Sequence, residues 1–222
     1  MKKLLTLAAL AGLLGTQQCL AFAVNVAQNG GYYYDSGGEF TITDPPPPLS
    51  VADIYANYDT KATVGLGFQT FCISRSIYVQ NSGNSLDATV DPNGVANGTA
   101  WLYSAFATGQ LAGYDYTTDG GRPTSAWALQ NAIWELQGQA YDASNLGASN
   151  YVYMAKSEFG SLANAMADSG GQLGVDQLQM TYNGVTSQPM LAFVGVPDGG
   201  ATLMLLGLGL SSLGAFSRRF RA

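Results

Sequence analysis

The stretch ALQNAIWEL, from Ala128 to Leu136, has the spacing of a helix and carries a glutamine on its apolar face. A helix with about 3.6 residues per turn places positions i, i+3, i+6 and i+7 on one side. Here these positions are Trp127, Gln130, Ile133 and Trp134. Three of these side chains are typical of a protein core. The fourth is a carboxamide, which is costly to bury unless it is hydrogen-bonded. The stretch therefore predicts a core helix whose glutamine faces a partner.

The periodicity of the chain changes from strands to helices and back to strands. Strands are predicted at Glu39–Thr43, Val64–Ser74, Ile77–Gln80, Ala88–Val90, Asp176–Tyr182 and Pro189–Val196. Helices are predicted around 101–106 with a stop at Gly109, from Pro123 to Gly138 with Thr124 or Ser125 as N-cap, and over Tyr151–Ala167, which Gly160 weakens. This order predicts an α+β domain over residues 24–195. We expect a β-rich sandwich or barrel body with an inserted helical subdomain at about 97–168.

The composition excludes several classes of function. The chain contains no histidine, which removes Ser-His-Asp and Cys-His catalysis and most zinc sites. No metal and no cofactor are expected. Residues 24–195 contain 14 acidic and 4 basic residues, a net charge of about −10, so nucleic acid is not expected as a partner. An envelope enzyme such as a glycosidase is an alternative, but no carboxylate pair lies in a setting that marks one.

The N-terminus has the parts of a secretory signal peptide. Lys2 and Lys3 precede an apolar run, and the small residues AFA at 21–23 predict cleavage after Ala23. The alternative is a lipoprotein signal at Cys19, for which TQQC is a poor lipobox. Removal of Cys19 leaves Cys72 as the single cysteine of the exported chain, so Cys72 has no partner for an internal disulfide.

The C-terminus combines a short motif, an apolar run and a basic end. The motif is Val196, Pro197, Asp198, Gly199 and Gly200, and the basic end is Arg218, Arg219 and Arg221. The run over 201–216 predicts a transmembrane helix, slightly short for a full span, with the arginines at the cytoplasmic face. This tail resembles the VPDSG-type variant of the PEP-CTERM sorting signals. The resemblance implies processing by an exosortase, transient anchoring in the inner membrane, and delivery to the cell surface or extracellular matrix. Without it, the tail is a C-terminal anchor helix.

Cys72 and Gln130 are the two residues that lack an evident partner. Cys72 lies in the predicted strand TFCIS, where alternation turns its side chain away from those of Phe71 and Ile73. If this strand packs against the helix, the thiol can meet the carboxamide. The two groups can condense with loss of ammonia to a thioester, which is an activated acyl group that an amine or hydroxyl can attack. No histidine, metal or cofactor is needed in the product.

Two motifs resemble those of the bacterial surface thioester domains, which occur in adhesins. They are FCI at Phe71–Ile73 and LQNAIW at Leu129–Trp134, with Cys72 and Gln130 separated by 58 positions. The resemblance covers roughly Phe68 to Gln139 and implies a β-rich body with a helical subdomain and a Cys72–Gln130 thioester. It also implies that the protein binds covalently, rather than as an enzyme, to a nucleophile on a surface or matrix protein or polysaccharide.

The surroundings of a thioester must exclude water and admit a docked nucleophile. Aromatic and apolar residues near the two motifs are candidates for its walls, namely Phe71, Ile73, Tyr103, Trp127, Ile133 and Trp134. Tyr114, Asp115 and Tyr116 are candidates for orienting an incoming amine. The alternative is a non-reactive structural protein of the envelope or matrix, in which Cys72 packs as a small hydrophobe and Gln130 bonds a neighbouring turn.

Overall fold

Within the part of the chain that the structure describes, six antiparallel strands form one sheet, and four α-helices lie between its fourth and fifth strands. The computed structural model describes residues 21–34, 37–43, 67–80, 85–117, 120–139 and 146–194. The strands are β1 (Phe22–Tyr34), β2 (Gly37–Thr43), β3 (Gly67–Thr70), β4 (Ser85–Asp91), β5 (Val175–Tyr182) and β6 (Val185–Phe193). The helices are α1 (Asn97–Ala107), α2 (Arg122–Leu136), α3 (Leu146–Phe159) and α4 (Leu162–Met166). The predicted α+β class is confirmed.

The sheet has the order β3-β2-β1-β4-β5-β6, and its alternation separates an apolar face from a mixed face. Directly paired residues share a face. Val26 pairs with Ile42, Ile42 with Phe68, and Ala88 with Met180, so these buried side chains line one continuous apolar face. The opposite face of β2 carries Gly37 and Glu39, and these two residues contact α2. Both faces of β2 are therefore buried.

The two edges of the sheet come together at the segment that follows β3. The backbone N–H of Ile73 donates to the carbonyl oxygen of Pro189 at 3.0 Å, and that of Leu191 donates to the carbonyl oxygen of Phe71 at 3.2 Å. Cys72 forms an isolated antiparallel bridge with Met190. Since β3 and β6 are the outermost strands, these bonds join one edge to the other. Cys72 lies at this junction.

The helix α2 is buried on nearly all sides, which differs from the single apolar stripe that its spacing predicted. Ala126, Ala128, Leu129, Asn131, Ala132 and Leu136 are buried together with Gln130, Ile133 and Trp134 of the predicted stripe, while Trp127 is half-buried. The helix packs against β1 and β2 on one side and against α3 on another. A helix enclosed by other elements carries apolar residues all round its circumference, so its periodicity does not mark one inner face.

The predicted helices are present, with corrections at their ends. The N-cap of α2 is Gly121 and not Thr124 or Ser125, because Pro123 is accommodated inside the first turn, where its missing N–H costs nothing. Gly138 follows the end of α2 with φ of 70°, as a C-terminal glycine does. The predicted helix over 151–167 is divided into α3 and α4 at Gly160, whose φ of 75° is incompatible with a continuing helix.

The predicted strands need two further corrections. Ile77–Gln80 is not a strand, although Tyr78 and Gln80 each bond to β6 through a single hydrogen bond. The strand β1 was not predicted, because its glycine- and tyrosine-rich sequence lacks a clear alternation. It begins at Phe22, so Phe22 and Ala23 pair with β4 on the N-terminal side of the predicted cleavage point.

Most of the two predicted terminal signals lies outside the described residues. Of the signal peptide only residues 21–23 are described, and residues 196–222, which include the predicted transmembrane helix, are not. Among the described helices, none has the length and apolar character that a membrane span requires.

Candidate functional site

The structure brings Cys72 and Gln130 together through the backbone of the cysteine. The N–H of Cys72 donates to Oε1 of Gln130 at 3.0 Å. Nε2 of Gln130 donates to the carbonyl oxygen of Cys72 at 2.8 Å. Gln130 is fully buried and Cys72 is 3% exposed. The carboxamide therefore lies against the extended backbone of Cys72 as a neighbouring strand would, and its two hydrogen bonds account for a polar side chain inside the core.

These two bonds also orient the carboxamide for chemistry. A backbone N–H requires an acceptor and a carbonyl requires a donor, so the amide oxygen and nitrogen are assigned without ambiguity. The Cys72 N–H polarises the carbonyl of Gln130 and is placed to stabilise negative charge on Oε1. The nitrogen that would leave as ammonia faces the carbonyl oxygen of Cys72. The amide carbon is thus held beside the residue that carries the thiol.

The Cys72 thiol is held in its protonated form. It is a free thiol within the described residues, and its burial raises its pKa well above the ordinary range. A buried thiol of this kind does not react spontaneously as a thiolate. Any attack of this thiol on the Gln130 carbonyl would have to transfer the thiol proton as the carbon–sulfur bond forms, and the amide nitrogen of Gln130 is the acceptor within the pair.

Gly37 lets α2 approach β2 at this site. A Cβ atom built on Gly37 would lie 2.6 Å from Cγ of Gln130 and 2.9 Å from Cη2 of Trp134. Real Cβ atoms do not come so close to other heavy atoms. Any larger residue would displace Gln130 or Trp134 from the sheet. Gly37 was not among the predicted site residues, because it stands beside Gly38 and not as an isolated glycine within a strand pattern.

The segment after Cys72 is held by two further glutamines. Nε2 of Gln139 donates to the carbonyl oxygen of Ile73 at 2.7 Å, and the N–H of Arg75 donates to Oε1 of Gln139 at 2.7 Å. On the other side, Nε2 of Gln188 donates to the carbonyl oxygen of Ser74. Carboxamides from α2, from the turn after it and from β6 therefore fix residues 72–75 between helix and sheet. No pattern in the sequence distinguishes Gln139 or Gln188 from surface glutamines.

The residues predicted to surround the thioester do not all lie together. Trp134 is 1% exposed, and Arg75 lies over its ring with Cζ at 5.5 Å from the centroid. Trp127 is half-buried and packs edge-to-face against Trp134 with centroids 5.9 Å apart. Phe71 turns to α1, where it packs edge-to-face on Phe106 at 5.0 Å. Ile73 and Ile133 are buried, and Tyr103 is buried with its hydroxyl bonded to the Gln69 carbonyl.

Tyr114 and Asp115 have other partners than an incoming amine. The Tyr114 hydroxyl donates to Oε1 of Glu39. Burial, followed by the charge and hydrogen bond of Glu39, raises the pKa of Tyr114. The Asp115 carboxylate accepts the N–H of Thr117 at 2.9 Å and that of Gly121, which organises the loop before α2. The polar groups of both residues are engaged within the loop and with β2, and their role in orienting an amine stays a prediction.

A buried ion pair fixes the start of α2 on the sheet. Nε and Nη2 of Arg122 donate to the two carboxylate oxygens of Glu39, both at 2.8 Å, and Nη1 donates to the carbonyl oxygen of Tyr116 at 3.1 Å. Glu39 is two residues from Gly37 on the same face of β2. The ion pair and the close contact at Gly37 together set the position of α2, and hence of Gln130. The Tyr116 hydroxyl donates to the carbonyl oxygen of Phe106 at 2.9 Å.

Comparison with known proteins places the C-terminal tail and leaves the rest of the chain without a match. Residues 195–220 match the VPDSG-CTERM motif. This match confirms the predicted exosortase-type sorting signal, and it indicates export, processing by an exosortase and sorting to the cell surface. Neither the curated proteins nor the solved structures give a match to this chain.

Proposed function

We propose that this chain is a cell-surface protein that binds covalently to a target through a thioester between Cys72 and Gln130. The observation that carries the proposal is the pair of hydrogen bonds between the Gln130 carboxamide and the Cys72 backbone. The two residues are distant in the sequence, and the packing of α2 on the edge junction of the sheet brings them into contact. In this proposal the body is a β-barrel with an inserted helical subdomain that supplies the glutamine.

The environment of the two residues supports a thioester. Hydrolysis of a thioester requires water, and both side chains are almost completely buried. Thioester formation needs no further reactant. The thiol sulfur bonds to the amide carbon, the carbon–nitrogen bond breaks, and the thiol proton leaves with the nitrogen as ammonia. A later nucleophile, a lysine amine or a hydroxyl of a matrix protein or polysaccharide, takes the acyl group and returns the thiol. Each molecule reacts once, so the protein is a covalent binder and not an enzyme.

The location follows from the two ends of the chain. The sorting signal accounts for delivery to the surface. We propose that the apolar run over 201–216 anchors the chain in the inner membrane until an exosortase acts on the tail. The acidic surface of the exported region suits a soluble module that projects into the extracellular matrix.

One observation favours a second candidate, a non-reactive structural protein of the matrix. The Gln130 carboxamide already has an acceptor and a donor in the Cys72 backbone. These bonds alone are sufficient to keep a glutamine in the core. In this case the fold and the sorting would be the same, and Cys72 would remain a thiol.

Peptide mass spectrometry of the exported protein after digestion in acid separates the two candidates. A thioester joins the Cys72 and Gln130 peptides with loss of one ammonia. Methylamine treatment then releases a Cys72 thiol that can be alkylated, and leaves Gln130 as its N-methylamide. A Cys72→Ala variant gives neither product. Separate peptides with an alkylated Cys72 in the untreated protein would support the structural protein instead.

A further inference from the structure

Trp134 carries a buried hydrogen-bond donor without an acceptor. Its Nε1 has no hydrogen-bond partner among the described residues, although the side chain is 1% exposed. Buried tryptophans normally find an acceptor for this group, because an unsatisfied buried donor costs about 1–3 kcal/mol. Such an orphan donor in a well-packed core calls for a functional explanation.

The orphan donor lies beside the reacting amide. Trp134 follows Gln130 by four positions on α2, so the two side chains are neighbours on the helix surface. Both also crowd the same point on β2: the Cβ position of Gly37 is 2.6 Å from Cγ of Gln130 and 3.2 Å from Cζ2 of Trp134. Cγ is bonded to the amide carbon of Gln130, and Cζ2 is two bonds from Nε1 of the indole. The indole ring and the Gln130 side chain therefore pack against the same residue of β2.

The chemistry of a thioester creates the acceptor that this donor lacks. When the Cys72 sulfur bonds to the amide carbon, the carbonyl electrons move to Oε1, and a tetrahedral oxyanion forms. The same oxyanion forms when an amine attacks the finished thioester. The Cys72 N–H, at 3.0 Å from Oε1, is one donor to this oxygen. Sites that stabilise such an oxyanion commonly provide two or more donors.

We propose that the indole N–H of Trp134 is the second donor to the oxyanion of the Cys72–Gln130 thioester. This inference rests on the proposed function. The guanidinium of Arg75, whose Cζ is 5.5 Å from the Trp134 ring centroid, is attracted to the face of the indole and helps to hold the ring in position. Trp134 thus acts in both the formation and the opening of the thioester, and the packing of Gly37 keeps it in place.

The test compares two matched tryptophan substitutions, one at the site and one on α1. Trp134→Phe removes the N–H and keeps an aromatic ring, while Trp101→Phe makes the same change at a half-buried tryptophan of α1. The rate of thioester opening by methylamine is measured on the exported protein from the release of the Cys72 thiol. Loss of one oxyanion donor lowers rates by about 10²–10³ in enzymes. We expect Trp134→Phe to open at least about tenfold more slowly, or to form no thioester while folded. Trp101→Phe should remain within about twofold of the parent.

The outcomes distinguish this inference from the proposed function. If the unmodified protein contains no thioester, both fall. If it contains one, and Trp134→Phe forms and opens it like the parent, the function stands and the role of Trp134 is refuted. Should Trp134→Phe fail to fold, benzothienylalanine at position 134 keeps the shape of the indole and lacks the N–H. It is then judged by the same rate of opening.

Discussion

The contact between Gln130 and the backbone of residue 72 can be measured apart from any thioester chemistry. In a Cys72→Ala parent no thioester can form, yet the N–H and C=O of residue 72 remain. Gln130→Met in this parent keeps the length and approximate volume of the side chain and removes both hydrogen bonds. The substitution leaves one buried donor and one buried acceptor without partners.

The expected loss of stability follows from these two groups. Each unsatisfied buried backbone group costs about 1–3 kcal/mol. The pair therefore lowers the free energy of unfolding by about 4 kcal/mol, with a smaller contribution from the volume-conserving swap itself. In a domain of about 170 residues, 1 kcal/mol corresponds to about 2–4 °C, so the melting temperature should fall by about 8–16 °C.

The assay is thermal and urea unfolding followed by circular dichroism, and the control is Gln137, the residue that follows the last residue of the same helix. Gln137 makes one exposed bond, from Nε2 to the carbonyl oxygen of Gly94 at 3.2 Å. Gln137→Met should cost less than about 1 kcal/mol, because water replaces the lost partner. If Gln130→Met proved no more destabilising than Gln137→Met, Gln130 would not bond the backbone of residue 72, and the proposed site would lose its basis.

Two further predictions concern residues around and away from the site. Gly37→Ala should destabilise the protein by about 1–3 kcal/mol through overpacking, and should reduce the fraction of peptides joined by a thioester. The control is Gly170→Ala, because a Cβ atom at Gly170 meets open space although φ is 58°. It should leave the fraction of joined peptides unchanged. Equal fractions in the two variants would contradict the claim that a side chain at residue 37 displaces Gln130 or Trp134. Burial, and then the charge of Asp91, raises the pKa of Asp176 above its ordinary 3.8. The folded protein therefore keeps this proton to a higher pH than the unfolded chain does, and the free energy of unfolding falls as pH rises through the folded pKa. Asp176→Asn should therefore raise the melting temperature at pH 7 and lose this advantage near pH 3; a lower melting temperature at pH 7 would refute the sign.

Local signals determined much of the secondary structure. Periodicity or flanking glycines favour one backbone conformation in several elements. These are β2, which ends at Thr43, the strands near Val90 and Tyr182, and the helix that contains Gln130. The strand that was not predicted shows the limit of such signals. β1 has little alternation of its own, and it is a strand because β2 and β4 pair with both of its sides. Tertiary hydrogen bonding here overrides local preference.

The candidate site shows the same division. Cys72 and Gln130 could be predicted from the sequence by their residue types. Cys72 is a thiol without a disulfide partner, and Gln130 is a carboxamide among residues typical of a core. Gly37, Gln139 and the orphan donor of Trp134 were visible only in three dimensions, since their roles depend on which atoms come close and not on residue type.

The sequence by itself determined the destination of this protein and the reactive groups that it carries. A sorting signal is recognised as a short linear segment, and the reactivity of a thiol or an amide belongs to the side chain. Only the tertiary structure decided that the Gln130 carboxamide meets the backbone of Cys72. Their contact requires a buried ion pair at Glu39 and Arg122, a missing side chain at Gly37, and the closing of the sheet edges at Cys72. Each of these joins residues distant in the chain, and their free energies are set by packing and desolvation, which no local pattern encodes.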